Sequence, residues 1–205
     1  GEALPSAFPE LGSIVSAACL AHDMGNPPFG HSGEKAIRSY FSEGKGCNLP
    51  RGEAGNPSVI DDRTWTDLTH FDGNANTLRL LTHQFEGRRK GGFVLTYSTL
   101  ASVVKYPYSS TLDKGKSKFG FFESERESYE RIATELGIPF TAGPEGTQAV
   151  RYPLVYLVEA ADDICYEVMD IEDAFKLRIL TYEETQELLL GFFETDERKS
   201  LMEHY

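Results

Sequence analysis

His22-Asp23-Met24-Gly25-Asn26-Pro27-Pro28-Phe29-Gly30-His31-Ser32-Gly33-Glu34 places two of the chain's five histidines and two carboxylates within thirteen residues. It also marks a junction between two helices. Upstream, Leu11 to Met24 carries small residues (Ser16, Ala17, Ala18, Ala21) at helical spacing. Gly25-Asn26-Pro27-Pro28 ends that helix, because a residue suited to the left-handed cap is followed by two prolines that cannot continue it. Downstream, the pattern predicts a second helix from Ser32 to Phe41. A helix, a tight proline turn and another helix decide the fold class: all-α.

The same reading extends outward. Apolar residues recur at three and four with little alternation of period two, which argues for helices over strands. Further helices are expected from Gly73 to Glu86, Thr96 to Val104, Ser124 to Leu136 behind a Ser124-x-x-Glu127 capping box, and Leu154 to Asp170. Thr181-x-x-Glu184 opens another that ends near Phe193. Residues 42–61, with four glycines and two prolines, form a candidate flexible insertion, long for a loop within one domain. No internal repeat, low-complexity tract or composition break divides residues 1–205, so a single domain is expected. Gly1 is not an initiator methionine, and the chain is expected to be the central part of a longer protein.

Composition excludes several classes. With 205 residues, 40% hydrophobic and 25% charged, the chain has ordinary globular content, and no apolar run is long enough to span a bilayer, so no membrane partner is expected. Three cysteines without a Cys-x-x-Cys pair argue against a disulfide-stapled secreted fold and a zinc ribbon, and point to a reducing cytoplasm. A net charge of −12 opposes nucleic acid as a partner. Between Arg88 and Lys118, however, seven basic residues face only Asp113. A solvated basic loop and an anion site both fit that excess.

Four places could carry chemistry. His22 and Asp23, adjacent at a helix end, offer nitrogen and oxygen donors to a divalent cation, although helix capping by His22 with a solvated Asp23 accounts for them equally simply. His31 and Glu34, spaced i, i+3, share a face, and an imidazole oriented by a carboxylate moves protons or acts as a nucleophile; helix N-terminal capping is the plain alternative. In Glu159-Ala160-Ala161-Asp162-Asp163-Ile164-Cys165-Tyr166, the apolar positions Val155, Val158, Ala161, Ile164, Cys165 and Val168 predict a buried stripe. At least one of Asp162 and Asp163 then needs a cation, with Tyr166 one turn beyond Asp162. Phe71-Asp72-Gly73-Asn74-Ala75-Asn76 opens a helix whose N-terminus suits an anion, with Asn74 read as its cap, and Lys105-Tyr106-Pro107 could hold phosphate oxygens.

Taken together, Ala18-Cys19-Leu20-Ala21-His22-Asp23-Met24-Gly25-Asn26-Pro27-Pro28-Phe29-Gly30-His31-Ser32-Gly33-Glu34 closely resembles the signature of bacterial deoxyguanosinetriphosphate triphosphohydrolases of the HD-domain superfamily. Phe71-Asp72-Gly73-Asn74-Ala75-Asn76, Lys105-Tyr106 and Glu159 to Tyr166 are similar to later blocks of that family, in the same order. The resemblance implies a helical HD fold and a divalent metal: Mn²⁺ or Mg²⁺ first, with Fe, Co or Zn as alternatives. It implies hydrolysis of a deoxynucleoside triphosphate, dGTP preferred, to deoxynucleoside and inorganic triphosphate. By the same resemblance His22, Asp23 and Asp162 are metal ligands, and His31 and Glu34 are catalytic. Asn74, Lys105 and Tyr106 hold phosphates, and Tyr166 lies against the deoxyribose. A homo-oligomer is implied as well.

Two departures stand out. The superfamily takes a further histidine ligand from upstream of the His-Asp pair, and the 21 residues before His22 contain none. His70, His83 and His204 are substitutes in residue type only. Family members are also much longer than this chain. Two other functions stay open from the residues: a non-catalytic module that binds a nucleotide or supports oligomerisation, and an HD phosphohydrolase acting on another nucleotide.

Overall fold

Small side chains govern how the first helix packs. In the computed structural model, which describes residues 8–53, 59–87, 90–112 and 118–204, α1 runs Phe8–Ala21 and buries Ala18 and Ala21 in the core. Alanines on that face let it lie close along α5 (Tyr97–Val103), where Leu100, Ala101 and Val103 are buried. Leu78 and Leu81 of α4 (Gly73–Thr82) and Tyr129, Ile132 and Ala133 of α6 (Arg126–Glu135) complete the same cluster, with Phe121 stacked on Tyr129 at 4.5 Å. Each fully buried Leu or Ile contributes roughly 1.5–3 kcal/mol relative to exposure.

The other helices are α2 (His31–Ser42), α3 (Asp62–Thr69), α7 (Leu154–Lys176), α8 (Tyr182–Leu190) and α9 (Thr195–His204). The chain divides into two compact units, Gly1–Val158 and Glu159–Tyr205, and α7 crosses the boundary. In the second unit α8 is opened by the expected capping box, with Thr181 and Glu184 each bonding the other's backbone N–H. None of the helices described is long and apolar enough to cross a membrane.

The fold is mostly helical, as expected, with one small hairpin added to the helices. Phe140–Gly143 (β1) and Gly146–Ala149 (β2) form an antiparallel hairpin, with Gly143 opposite Gly146. Its strands of four residues are too short for alternation to register in the sequence. The Ser124-x-x-Glu127 capping box is absent: Glu123–Glu125 is a 3-10 turn, and Ser124 Oγ instead donates to Glu125 and accepts from Arg79. Asn74 is not the cap of α4. Asp72 is, accepting from the Asn74 N–H at 2.8 Å. The stripe expected along α7 is buried only at Val155 and Val158, while Ile164, Cys165 and Val168 are exposed. Periodicity shows that a helix has an apolar face, not that something covers it.

In the 42–61 segment, a 3-10 turn spans Lys45–Asn48, and the backbone closes where Gly52 N donates to Ile60 O at 3.1 Å and Ile60 N to Pro50 O at 2.8 Å. The Arg51 guanidinium lies 4.8 Å over the Trp65 ring. Residues 54–58 lie outside the described residues, as do Arg88, Arg89, Asp113, Lys114 and Lys116 of the basic stretch.

Helix α3 starts at Asp61, whose carboxylate accepts from Arg63 N and Thr64 N, and buries Asp67. Asp67 accepts from Ser110 Oγ at 2.6 Å and from Glu123 N at 2.7 Å, so one carboxyl joins three segments. Burial pushes this group up to about 7, against the lowering effect of both hydrogen bonds. An unfolded aspartate releases its proton near 3.8, so the folded state binds the extra proton between those values. The stability tied to this group is complete below pH 3.8 and lost as pH rises through about 7. Asp67→Asn, which keeps an acceptor for Glu123 N and a donor for Ser110 Oγ, is expected to remove that slope. Melting curves from pH 5 to 8 should show the unsubstituted protein losing stability relative to the variant.

Gly25 yields a second prediction. A Cβ there would meet Thr77 N at 2.1 Å and Gly73 O at 2.2 Å, both backbone atoms, whereas a Cβ at Gly12 in α1 meets nothing within 4 Å. Gly25→Ala is expected to destabilise by ~3 kcal/mol or more through overpacking. Gly12→Ala is expected to stabilise by roughly 0.5–1 kcal/mol through helix propensity. Denaturant unfolding of the two variants checks the contrast.

Candidate functional site

The turn after α1 is clamped onto the start of α4. Thr77, fully buried, accepts from Gly25 N at 2.9 Å, and its hydroxyl lies 2.8 Å from His22 O and 3.0 Å from Gly73 O, sharing one proton between two carbonyls. Asn76 Nδ2 donates to Gly25 O at 2.9 Å. His22 and Asp23 are thus carried on backbone held from α4. The His22 ring is fixed further by its Nδ1 at 2.7 Å from Cys19 O, which assigns the proton to Nδ1. Nε2 then carries the lone pair, 3.6 Å from Asp23 Oδ1.

That arrangement fits a divalent cation. A neutral imidazole nitrogen and a carboxylate oxygen converge, and the other ring nitrogen is held by a carbonyl, as in metal-ligating histidines. Both plain readings hold in part too, since His22 does bond a carbonyl at the end of α1 and Asp23 is half exposed. Among the described residues no three His, Cys, Asp or Glu side chains gather into a metal group. His70 is turned to Thr66 O at 3.0 Å, and His83 packs edge-on against Phe85. The His204 side chain lies outside the described residues.

The Pro27-Pro28 turn folds back on α2, and a Cβ at Gly33 would lie 2.1 Å from Pro28 O. Phe29 takes a positive φ of 67° in that turn, a conformation that costs a non-glycine residue about 1 kcal/mol or more. The turn sets His31 at the first position of α2 with its side chain 87% exposed, while Glu34 one turn later is 5% exposed. His31 Nδ1 bonds Glu34 Oε2 at 2.9 Å, so Nε2 faces outward as the basic nitrogen. Glu34 Oε1 accepts from Gly73 N at 2.8 Å, tying the pair to the same helix start that holds the His22 turn.

Burial would raise the Glu34 carboxyl, but the Gly73 N–H, the His31 bond and the nearby charges of Lys118 and Arg38 outweigh it and hold the group below its ordinary 4.5. Nζ of Lys118 and a guanidinium nitrogen of Arg38 each lie 3.6 Å from Oε2. Arg38 also donates to Phe71 O at 2.7 Å.

The structure therefore joins His22 with Asp23, and His31 with Glu34, on one helix start. Asn74 is in the second position of α4, its amide donating to Asp72 Oδ1 at 2.7 Å. Lys105 and Tyr106 follow α5. The Lys105 carbonyl accepts from Arg151 Nε at 2.9 Å, and Tyr106 packs near Tyr108. A Cβ at Gly120 would lie 2.1 Å from Tyr106 O, so only glycine lets the 118–122 strand-like segment pass that turn. Asp162 and Tyr166 belong to the second unit, where Asp162 is half-buried and Tyr166 exposed.

Lys118, Asp72 and Arg38 are what the sequence reading missed. Lys118 is one charge in a basic run, and Asp72 lies within the Phe71–Asn76 block without standing out from it.

The chain is 45% identical over 210 aligned residues to the deoxyguanosinetriphosphate triphosphohydrolase-like protein of Pseudomonas aeruginosa (strain LESB58), covering 96% of this chain and 44% of that protein. Across its own length, the chain belongs to the deoxyguanosinetriphosphate triphosphohydrolase-like family. A protein of the same name from Synechocystis is 38% identical over 91% of the chain and 43% of its own length. The deoxyguanosinetriphosphate triphosphohydrolase of Serratia proteamaculans is 33% identical over 84% and 36% respectively. The chain spans less than half the length of these triphosphohydrolase relatives. No family model matches it.

The lowered Glu34 carboxyl makes a prediction for this family member. Its folded pKa lies below the unfolded value, so its stabilisation is present above 4.5 and lost as pH falls through the depressed value. Glu34→Gln is expected to melt below the unsubstituted protein near pH 7, with the gap closing as pH drops below 4.5. Parallel melting curves read it.

Proposed function

We propose that this chain forms part of a metal-dependent deoxynucleoside triphosphate triphosphohydrolase with an HD-type centre, dGTP being the preferred substrate. The observation that carries the reading is the pairing of His31 with a buried, ionised Glu34 on the same helix start that holds His22 beside Asp23. The names of the relatives support the reaction class.

In this reading water adds to the α-phosphorus, the bond from phosphorus to the deoxyribose 5′ oxygen breaks, and a proton reaches that oxygen. Deoxynucleoside and inorganic triphosphate leave. His31, with Nδ1 held by Glu34, presents Nε2 for that proton transfer; the ionised carboxylate stabilises the imidazolium when the ring is charged. His22 and Asp23, with Asp162 as the third ligand, would hold the cation. A bound divalent ion supplies Lewis acidity and a water of lowered pKa. Asn74, Lys105 and Tyr106 contact phosphate oxygens, and Tyr166 packs on the sugar where a 2′-hydroxyl would clash. The protein works as a homo-oligomer.

Anion-exchange analysis of the natural full-length protein with dGTP and Mn²⁺ tests this. Inorganic triphosphate and deoxyguanosine are expected in equal amounts, and His22→Ala, Asp162→Ala and His31→Ala are each expected to lower turnover at least ~100-fold, the scale of general acid–base and metal contributions. Normal turnover in His22→Ala or Asp162→Ala would sink the metal assignment. Saturable dGTP binding with no product under any divalent metal would mark a nucleotide-binding module, and free phosphate in place of triphosphate would change the substrate class.

A further inference from the structure

Two buried carboxylates share one cation beneath the His31–Glu34 pair. Asp72 is 0% exposed and caps α4. Its Oδ1 accepts both the Asn74 N–H at 2.8 Å and the Asn74 side-chain amide at 2.7 Å, while the buried Oδ2 makes no hydrogen bond. Facing Oδ2 at 3.7 Å is Lys118 Nζ, which is also 3.6 Å from Glu34 Oε2. Glu34 in turn grips Gly73 N, the residue next to Asp72. Two negative groups therefore meet at one helix start, and each disfavours ionisation of the other unless a positive charge lies between them.

We propose that Lys118 and Asp72 are positioning residues, which link the His31 imidazole to the Asn74 amide through the chain His31–Glu34–Lys118–Asp72–Asn74. The proposal rests on the functional reading above and deepens it. With the lysine in place, one positive charge lies between the two carboxyl groups: Glu34 fixes the His31 ring by accepting a hydrogen bond from Nδ1, and Asp72 aims the Asn74 amide. Burial holds the Asp72 carboxyl above its ordinary value, the Asn74 bonds and Lys118 opposing that rise and the Glu34 charge adding to it. Without the lysine one carboxyl takes up a proton or turns away, and either the imidazole or the amide loses its orientation. The Lys118 side chain is 23% exposed, and its charge is engaged by both acids, so its part is to neutralise them.

The test is a charge-rescue cycle in the natural full-length protein, with dGTP, Mn²⁺ and triphosphate release as readout. Lys118→Met is expected to lower kcat roughly tenfold or more with KM changed less than about threefold, because orientation is lost and not nucleotide affinity. Adding Asp72→Asn to Lys118→Met removes the carboxylate that lacked its cation, and is expected to return kcat to within about threefold of Asp72→Asn alone. Lys118→Arg keeps the charge and is expected to retain most of the activity.

A rise in KM with kcat preserved and no rescue by Asp72→Asn would overturn the proposal, placing Lys118 on the nucleotide phosphates instead. Additive losses in the double variant would overturn it as well. Melting temperatures of the four proteins in the cycle read the same linkage without turnover. If the unsubstituted protein hydrolyses nothing, non-additive melting temperatures uphold the charge link and overturn only the functional reading, while additive ones overturn the link. Should Lys118→Met fail to fold, recovery of folding in the double variant supports the link, and its failure there counts against it.

Discussion

The backbone of the His22–Asn26 turn touches the backbone of α4, and that contact exists only because residue 25 has no side chain. Thr77 and Asn76 then convert proximity into fixed geometry, with hydrogen bonds to both faces of the turn. Hydrogen bonds of this kind contribute about 1 kcal/mol each, but their larger effect here is positional. Buried N–H and C=O groups must find partners, and this turn finds them in one helix. Position of His22 and Asp23 is thereby inherited from α4, not from α1 alone.

The second pair is anchored to the same place by a different device. Glu34 reaches from α2 to the first N–H of α4, where the helix dipole favours a negative charge. Arg38 and Lys118 balance that charge from two sides. A buried carboxylate without such partners would be protonated and could not orient an imidazole. The exposed His31 and the buried Glu34 are thus two parts of one arrangement: the ring meets solvent, and the group that directs it does not. Asp72 extends the same logic to Asn74.

The sequence made the His22 to Glu34 block conspicuous because four chemically capable residues within thirteen positions are hard to assign to packing alone. Lys118 and Asp72 were not conspicuous. A lysine in a basic run reads as solvated, and an aspartate before a glycine reads as a turn, since neither pattern carries information about burial. Correct capping chemistry was legible at Thr181 and Glu184, where donor and acceptor lie three residues apart. The identical spacing at Ser124 and Glu127 failed because the Ser124 hydroxyl is taken by its neighbour Glu125 and by the distant Arg79.

By itself, then, the sequence determined what depends on neighbours along the chain: a helix-rich fold, the proline turn between α1 and α2, the i, i+3 pairing of His31 with Glu34, and the residues available to bind a cation or a phosphate. Tertiary structure alone decided what depends on residues far apart. It pressed Gly25 onto α4 across some fifty positions, made Asp72 the cap in place of Asn74, set one lysine between two carboxylates, and covered Val155 and Val158 while leaving Ile164 exposed. Local periodicity and capping act over a few residues, whereas burial and charge balance are settled by whichever distant segment arrives.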